Sequence, residues 1–137
     1  MGNNEQVESK PNEVTVVRER IHIFHTNDLH SHFTYWKRSQ NFIEETRKML
    51  AAQGETSFLI DLGDHLDRSN LVTEATLGQC NIEMLNDANY DVVTLGNNEG
   101  ITLSHDELYH LYDDARFEVV VGNLFSMQKE NPQWMKP

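Results

Sequence analysis

Four short apolar runs, rich in β-branched residues, are separated along the chain by segments in which apolar residues follow a helical period. The runs span residues 20–26, 57–61, 91–95 and 117–121. Continuous apolar runs of this length are typical of strands that are buried on both faces, as in a parallel sheet. The pattern therefore predicts four parallel strands.

The segments between these runs predict three helices. In residues 36–53 and 71–88 the apolar positions fall on one face, with Gly78 as a weak point in the second segment. Ser104 and Glu107 have the spacing of a capping box, which marks the start of the third helix. The order β-α-β-α-β-α-β predicts an α/β fold with right-handed crossovers, and residues 131–137 are predicted to be irregular.

Length and composition limit the classes of protein to consider. The 137 residues suit one domain, residues 14–137, preceded by a polar mobile tail, residues 1–13. A net charge of −11 disfavours a partner such as a DNA or RNA polymer. The single cysteine excludes an internal disulfide. Since the sequence shows neither a membrane-length apolar run nor a secretory signal, we expect a cytoplasmic location and no membrane partner.

Three polar clusters directly follow the first three predicted strands. They occupy residues 26–32, 61–68 and 95–100. Because the carboxyl ends of parallel strands lie at one edge of the sheet, where ligands bind, we expect the three clusters to meet there.

The side chains in these clusters have the chemistry of metal ligands. Asp28 and His30 lie two residues apart in what we expect to be extended chain, so that their side chains point the same way. Asp64 could bridge two cations and Asn97 could offer an amide oxygen to the second. Mixed nitrogen and oxygen donors suit zinc, manganese or iron better than magnesium or calcium. Taken singly, Gly63-Asp64 and Gly96-Asn97 could instead be simple turns.

In this order and spacing, these residues resemble the signature of the calcineurin-like metallophosphoesterases. The motifs are Asp28-x-His30, Gly63-Asp64-x-x-Asp67-Arg68 and Gly96-Asn97-Asn98-Glu99, and residues 24–32 are most similar to the 5′-nucleotidase branch. That branch includes 2′,3′-cyclic phosphodiesterases and UDP-sugar hydrolases.

The resemblance implies a hydrolase of nucleotide catabolism that cleaves a nucleotide or another phosphate ester by attack of a metal-bound hydroxide. It implies two divalent ions, manganese, zinc, iron or cobalt. Asp28 and His30 would bind the first ion, Asp64 would bridge both, and Asn97 would bind the second.

The resemblance also implies a catalytic set formed by Asp67, Arg68 and Asn98. Asp67 and Arg68 match positions that brace the loop or approach the phosphate. Asn98 stands where the family usually has a histidine that stabilises the transition state, and an amide can offer only hydrogen bonds there. His32 or His65 could substitute in part as an auxiliary residue.

The family supplies further histidine ligands, in a Gly-His-x-His loop, downstream of these motifs, and no histidine follows His110 here. We therefore expect a fragment, the N-terminal portion of a longer enzyme without its C-terminal part and substrate-binding domain. It would hold at most one ion weakly and would self-associate through exposed sheet edges. Whether the chain alone is an enzyme stays open, and the alternative is a non-catalytic metal-binding or structural half-domain that needs a partner chain.

Overall fold

The computed structural model describes residues 19–124, 127 and 130–136, and the predicted tail of residues 1–13 lies outside them. In this part of the chain, five strands form one parallel sheet in the order β1-β2-β3-β4-β5. The strands are Ile21–Thr26 (β1), Thr56–Asp61 (β2), Val92–Val93 (β3), Glu118–Val120 (β4) and Met135–Lys136 (β5). The predicted α/β fold with a parallel sheet is confirmed.

Helices of 3 to 17 residues connect the strands in the described part of the chain. They are a 3-10 helix, Phe33–Tyr35, and the α-helices Trp36–Ala52 (α1), Leu71–Ala75 (α2), Gln79–Asp87 (α3), Asn97–Thr102 (α4) and His105–Leu111 (α5). The capping box predicted at the start of α5 is confirmed, since the Ser104 hydroxyl accepts the Glu107 N–H and the Glu107 carboxylate accepts the Ser104 N–H. None of the described helices is both long and apolar enough to span a bilayer.

Three expectations about these elements are wrong or incomplete. The single helix predicted over residues 71–88 is two helices, because the chain takes positive φ angles at Leu77 (49°) and Gly78 (86°). The expected irregular ending is wrong for Met135–Lys136, which pair with β4 and cover the edge of that strand. Helix α4 was not predicted, because six residues are too few to show a helical period.

The two faces of the sheet differ in burial. On one face Leu59, Val93 and Val119 are at most 1% exposed and belong to the core that the helices cover. On the other face Ile21 and Ile23 are each 63% exposed. The expectation that all strands are buried on both faces is therefore wrong for β1, and also for β2 and β4, where Phe58 and Val120 are exposed on the same face.

Candidate metal centre

The loop that follows β1 lies directly beside the loop that follows β2. Three backbone hydrogen bonds of 3.0–3.1 Å join the two loops: Asp28 N–H to Gly63 O, His30 N–H to Asp64 O, and Ser31 N–H to His65 O. These bonds extend the parallel pairing of the strands past their carboxyl ends. They bring Asp28 and His30 next to Asp64, although more than 30 residues of sequence separate the loops.

Two glycines let the loop after β3 approach the loop after β2. A Cβ atom added to Gly63, whose φ is +101°, would lie 2.6 Å from the backbone nitrogen of Gly96. A Cβ atom added to Gly96 would lie 2.2 Å from Asp64 Oδ1. Both distances are far below van der Waals contact, so this approach requires residues without side chains. The N–H of Asn98 then donates to Asp64 Oδ1 at 2.7 Å.

Asp28, His30 and Asp64 form what we call the ligand cluster. Their potential ligand atoms all lie within 4.8 Å of one another, and Asp28 Oδ1 is 3.5 Å from His30 Nε2. Asp28 is exposed and the other two residues are half-buried, so an ion from solvent can reach all three. Two carboxylates and an imidazole fit zinc, manganese, iron or cobalt. Among the described residues, no other group of three or more histidine, cysteine or acidic side chains has its ligand atoms within 4.8 Å of one another.

The sequence predicted an extended backbone at Asp28 and His30, and this prediction is wrong. Asp28, His30 and Asp64 have φ angles of 54°, 46° and 57°, and Ser31 has a φ of 53°. Left-handed backbone costs a non-glycine residue roughly 1–2 kcal/mol. The hydrogen bonds between the loops offset this cost and hold the side chains on one rim.

Hydrogen bonds favour the ionised form of the two acidic side chains nearest His30. The Asn27 amide donates to Asp28 Oδ2 at 2.7 Å and, together with His30, lowers the pKa of Asp28. The Ser69 N–H donates to Asp67 Oδ1 at 2.8 Å and lowers the pKa of Asp67, with a smaller contribution from His30. The other oxygen, Asp67 Oδ2, lies 3.8 Å from His30 Nδ1.

The two asparagines proposed for the site have different surroundings. Asn97 is exposed as the first residue of α4. The Asn98 side chain is half-buried, and its Nδ2 lies 3.0 Å from both Leu66 O and His30 Nδ1. Asn98 therefore contacts two members of the ligand cluster, Asp64 through its backbone and His30 through its side chain.

The structure places three other predicted site residues away from the ligand cluster. The Arg68 guanidinium donates to both carboxylate oxygens of Glu74, at 2.6 and 2.9 Å, and to Thr102 O at 2.8 Å. His32 is exposed, and its Nδ1 lies 3.1 Å from Leu29 O within its own loop. His65 is fully buried, so its imidazole does not reach the rim where a substrate would lie.

Beneath the ligand cluster, Asp61, His65 and Glu99 form what we call the buried cluster. All three side chains are fully buried. His65 Nδ1 lies 3.4 Å from Asp61 Oδ1 and 3.6 Å from Glu99 Oε1 without a well-aligned hydrogen bond among the described residues, and its Nε2 lies 3.1 Å from the Tyr112 hydroxyl. Burial alone would lower the pKa of His65, but the two carboxylates outweigh burial and raise it.

Sequence reasoning missed Glu99 as a structural residue. Its carboxylate accepts backbone N–H groups of Asp64 and Gly96 at one oxygen, at 3.0 and 2.8 Å, and of Leu66 at the other, at 3.0 Å. It therefore joins the loops after β2 and β3. The sequence feature that could have predicted this role is the position of Glu99, three residues after Gly96. A glutamate at this position can accept a hydrogen bond from the backbone N–H of the residue that precedes a helix.

Sequence reasoning also missed a buried group of neutral polar residues that anchors the first loop. The Ser31 hydroxyl accepts the Asp67 N–H at 2.8 Å and the Asn81 amide N–H at 3.1 Å, and its oxygen lies 2.8 Å from the Thr73 hydroxyl oxygen. These bonds link the loops after β1 and β2 to helices α2 and α3. Nothing in the sequence pattern distinguished these residues from ordinary helix and loop residues.

Comparison with known proteins gives three findings. The model of the calcineurin-like phosphoesterase family matches residues 21–132. The uncharacterized metallophosphoesterase YunD of Bacillus subtilis (strain 168) is 48% identical over 121 residues, which cover 88% of this chain and 26% of YunD. The sulfate thiohydrolase SoxB of Thermus thermophilus superposes with a TM-score of 0.58 over 68% of this chain and 17% of SoxB, at 18% identity.

These matches differ in what they establish. The similarity to SoxB is a similarity of fold alone, because the sequence identity is low. The similarity to YunD covers nearly all of this chain, but the chain spans only about a quarter of the length of YunD. The matched region contains all three polar loops and the whole ligand cluster.

Proposed function

Because the chain belongs to the calcineurin-like phosphoesterase family, we propose that it carries part of the active site of a metal-dependent hydrolase that cleaves phosphate esters of nucleotides. The observation that carries the proposal is the ligand cluster, in which Asp28, His30 and Asp64 converge from two loops to within 4.8 Å. The nucleotidase branch is favoured by the similarity of residues 24–32 to that branch.

The residues present fit a divalent transition ion. Asp28, His30 and Asp64 would hold the first ion, and Asp64 together with the exposed amide of Asn97 would contribute to a second. A bound divalent ion supplies Lewis-acid activation of the ester and of the attacking water. The mixture of carboxylate and imidazole favours manganese, zinc, iron or cobalt over calcium.

The rest of the site positions these ligands. The Asn98 N–H fixes Asp64 Oδ1, and the Asn27 amide fixes Asp28 Oδ2. Arg68 and Glu74 hold the end of the second loop against Thr102 at the end of α4. The loops thus present a preformed set of ligands, which reduces the reorganisation that an ion must induce when it binds.

Calorimetric titration of the 137-residue chain with Mn²⁺ and Zn²⁺ tests the metal site. We expect one ion to bind weakly, because three protein ligands can hold an ion with water in the remaining positions and two rarely do. The double variant Asp28→Ala/His30→Ala should abolish binding. Ile101→Ala, an exposed substitution in α4, is the matched control and should bind as the wild type does. Equal binding by the double variant would refute the assignment.

The hydrolytic part of the proposal is tested in a longer protein, because the chain matches only 26% of the length of YunD. We expect little hydrolysis of a nitrophenyl phosphodiester by the chain alone, because it supplies only part of a two-metal site. A chimera in which this chain replaces the matching segment of YunD should release nucleoside or phosphate from nucleotides in a metal-dependent manner. The same chimera with Asp64→Asn should be inactive. A folded, metal-loaded chimera without activity on nucleotides would contradict the nucleotidase assignment.

A further inference from the structure

The orientation of the Asn98 amide is determined by its neighbours. Its Nδ2 lies 3.0 Å from Leu66 O and 3.0 Å from His30 Nδ1. A backbone carbonyl can only accept a hydrogen bond, so the group that faces Leu66 must be the amino group of the amide. The second N–H of that amino group then points at His30 Nδ1, which must act as the acceptor.

This contact determines where the proton of the neutral His30 imidazole lies. A neutral imidazole carries one N–H, and the other ring nitrogen is the acceptor. If Nδ1 accepts from Asn98, the proton lies on Nε2. Nε2 lies 3.5 Å from Asp28 Oδ1, a carboxylate that can accept this proton in a weak hydrogen bond. Both ring nitrogens therefore have complementary neighbours in the metal-free protein.

Binding of an ion in the ligand cluster requires the opposite tautomer. Nε2 is the ring nitrogen that faces Asp28, so its lone pair must be free to act as a ligand. The proton must then lie on Nδ1, where the Asn98 amino group would oppose it as a second donor. Asp67 Oδ2, 3.8 Å from Nδ1, is an acceptor within reach of that proton. A carboxylate that accepts the second N–H of a metal-binding histidine orients the ring and raises its basicity.

We propose, on the basis of the function proposed above, that Asn98 and Asp67 are positioning residues that compete for His30 Nδ1. Asn98 holds the metal-free imidazole in the Nε2–H tautomer, and Asp67 stabilises the Nδ1–H tautomer that can bind an ion. In the exchange, one proton leaves Nε2 for water and one proton from water binds Nδ1. The imidazole is neutral before and after the exchange. The balance between an amide and a carboxylate at one ring nitrogen thus modulates the metal affinity that the three ligands provide.

NMR of the chain labelled with ¹⁵N-histidine measures this tautomer directly. Two-bond proton–nitrogen correlation spectra at about pH 8, where imidazole is neutral, distinguish the Nδ1–H form from the Nε2–H form. The His30→Gln variant assigns the His30 signals. In the presence of a chelator we expect His30 in the Nε2–H form, and after addition of Zn²⁺ in the Nδ1–H form with Nε2 bound.

Variants separate the two positioning residues. Asn98→Ala should give a mixture of tautomers without metal and should raise Zn²⁺ affinity roughly threefold to tenfold, since one neutral hydrogen bond no longer opposes binding. Asp67→Ala should keep the Nε2–H form without metal but lower Zn²⁺ affinity about 10- to 100-fold. Asp67→Asn, which retains an acceptor oxygen, should restore part of this loss. Ile101→Ala should behave as the wild type in both measurements.

Two results would overturn this inference. The first is an Nδ1–H imidazole in the metal-free wild type, a measurement that depends on no variant and on no metal binding. The second is a lower Zn²⁺ affinity in a folded Asn98→Ala variant. If His30 has the expected metal-free tautomer but Zn²⁺ never binds to it, the proposed function fails together with the role of Asp67, and the role of Asn98 stands.

Discussion

The ligand cluster and the buried cluster lie at the same edge of the sheet but differ in what surrounds their charges. Asp28, His30 and Asp64 are exposed or half-buried, have left-handed backbone, and hold ligand atoms within 4.8 Å of one another. Asp61, His65 and Glu99 are fully buried, and Glu99 is satisfied by three backbone N–H groups.

The difference indicates that the ligand cluster and the buried cluster have separate roles. Charges that must meet an ion from solvent remain accessible, whereas charges that hold the loops together are buried, where backbone donors and an opposite charge must compensate the loss of water. Substitutions should therefore separate the free energy of unfolding from metal affinity, and the following predictions test that separation.

The largest loss of stability is expected for Glu99→Ala. The change leaves three backbone N–H groups, one buried and two partly buried, without their acceptor and His65 with one carboxylate fewer, which should cost at least about 3 kcal/mol. Chemical denaturation followed by circular dichroism measures the free energy of unfolding. Glu83→Ala, an exposed glutamate in α3, is the control and should change it by less than about 0.5 kcal/mol. Similar values for both variants would refute the role of the buried cluster.

A smaller loss of stability, together with a loss of metal binding, is expected for Gly96→Ala. The new Cβ would collide with Asp64 and force the loops apart, which should cost roughly 1–3 kcal/mol and abolish detectable metal binding. Gly100→Ala is the control, because nothing lies within 4 Å of its added Cβ. Denaturation and calorimetric titration of both variants test the prediction, and unchanged metal affinity in Gly96→Ala would contradict it.

The buried cluster should also make stability depend on pH. The raised pKa of His65 means that the folded chain binds this proton more tightly than the unfolded chain, in which the pKa is near 6.5. The resulting stabilisation is fully present below pH 6.5 and is lost as the pH rises through the folded value. Thermal unfolding should therefore occur at lower temperature as the pH rises above 6.5. His65→Gln should remove this dependence, and a wild-type midpoint independent of pH would contradict the assignment.

We expect Asp64→Asn to lower metal affinity with little loss of stability, in contrast to the large loss of stability expected for Glu99→Ala. The amide oxygen can still accept the Asn98 N–H, so we expect the free energy of unfolding to change by less than about 1 kcal/mol. Loss of the carboxylate charge should lower Mn²⁺ and Zn²⁺ affinity at least tenfold, by about 1.4 kcal/mol or more. Calorimetry and denaturation measure the two effects on the same sample. A large loss of stability would mean that the two clusters are not separate.

The smallest effect is expected for Asn97→Ala. The side chain is exposed, so the free energy of unfolding should change by less than about 0.5 kcal/mol. The single ion that we expect the chain to hold uses Asp28, His30 and Asp64, and its affinity should therefore change less than about twofold, which is below 0.5 kcal/mol. A marked loss of affinity in the titration would show that Asn97 contributes to the first ion.

The sequence predicted the parts of this molecule that depend on local pattern and chain order. Apolar runs identified the ends of β1 and β2 to within one residue, and a capping box identified the start of α5. Both signals are local, because hydrophobic periodicity and helix capping depend on residues that are close in sequence. The three polar loops were predicted to meet because parallel strands end at one edge of a sheet. Asp28, His30 and Asp64 were named as ligands, and the structure brings them together.

Tertiary structure decided the features that depend on contacts between residues distant in sequence. Met135–Lys136 are too short to show a strand period and form β5 only because β4 offers a pairing edge. The exposure of Ile21 and Ile23 depends on what packs against their face of the sheet, and an apolar run in the sequence does not show this. Likewise, Glu99 and His65 lie in polar clusters that the sequence identified, but their burial follows from how the segments after β2 and β3 pack together. Asn98 turns its amide to His30, 68 residues away, so its neighbour was fixed by the fold.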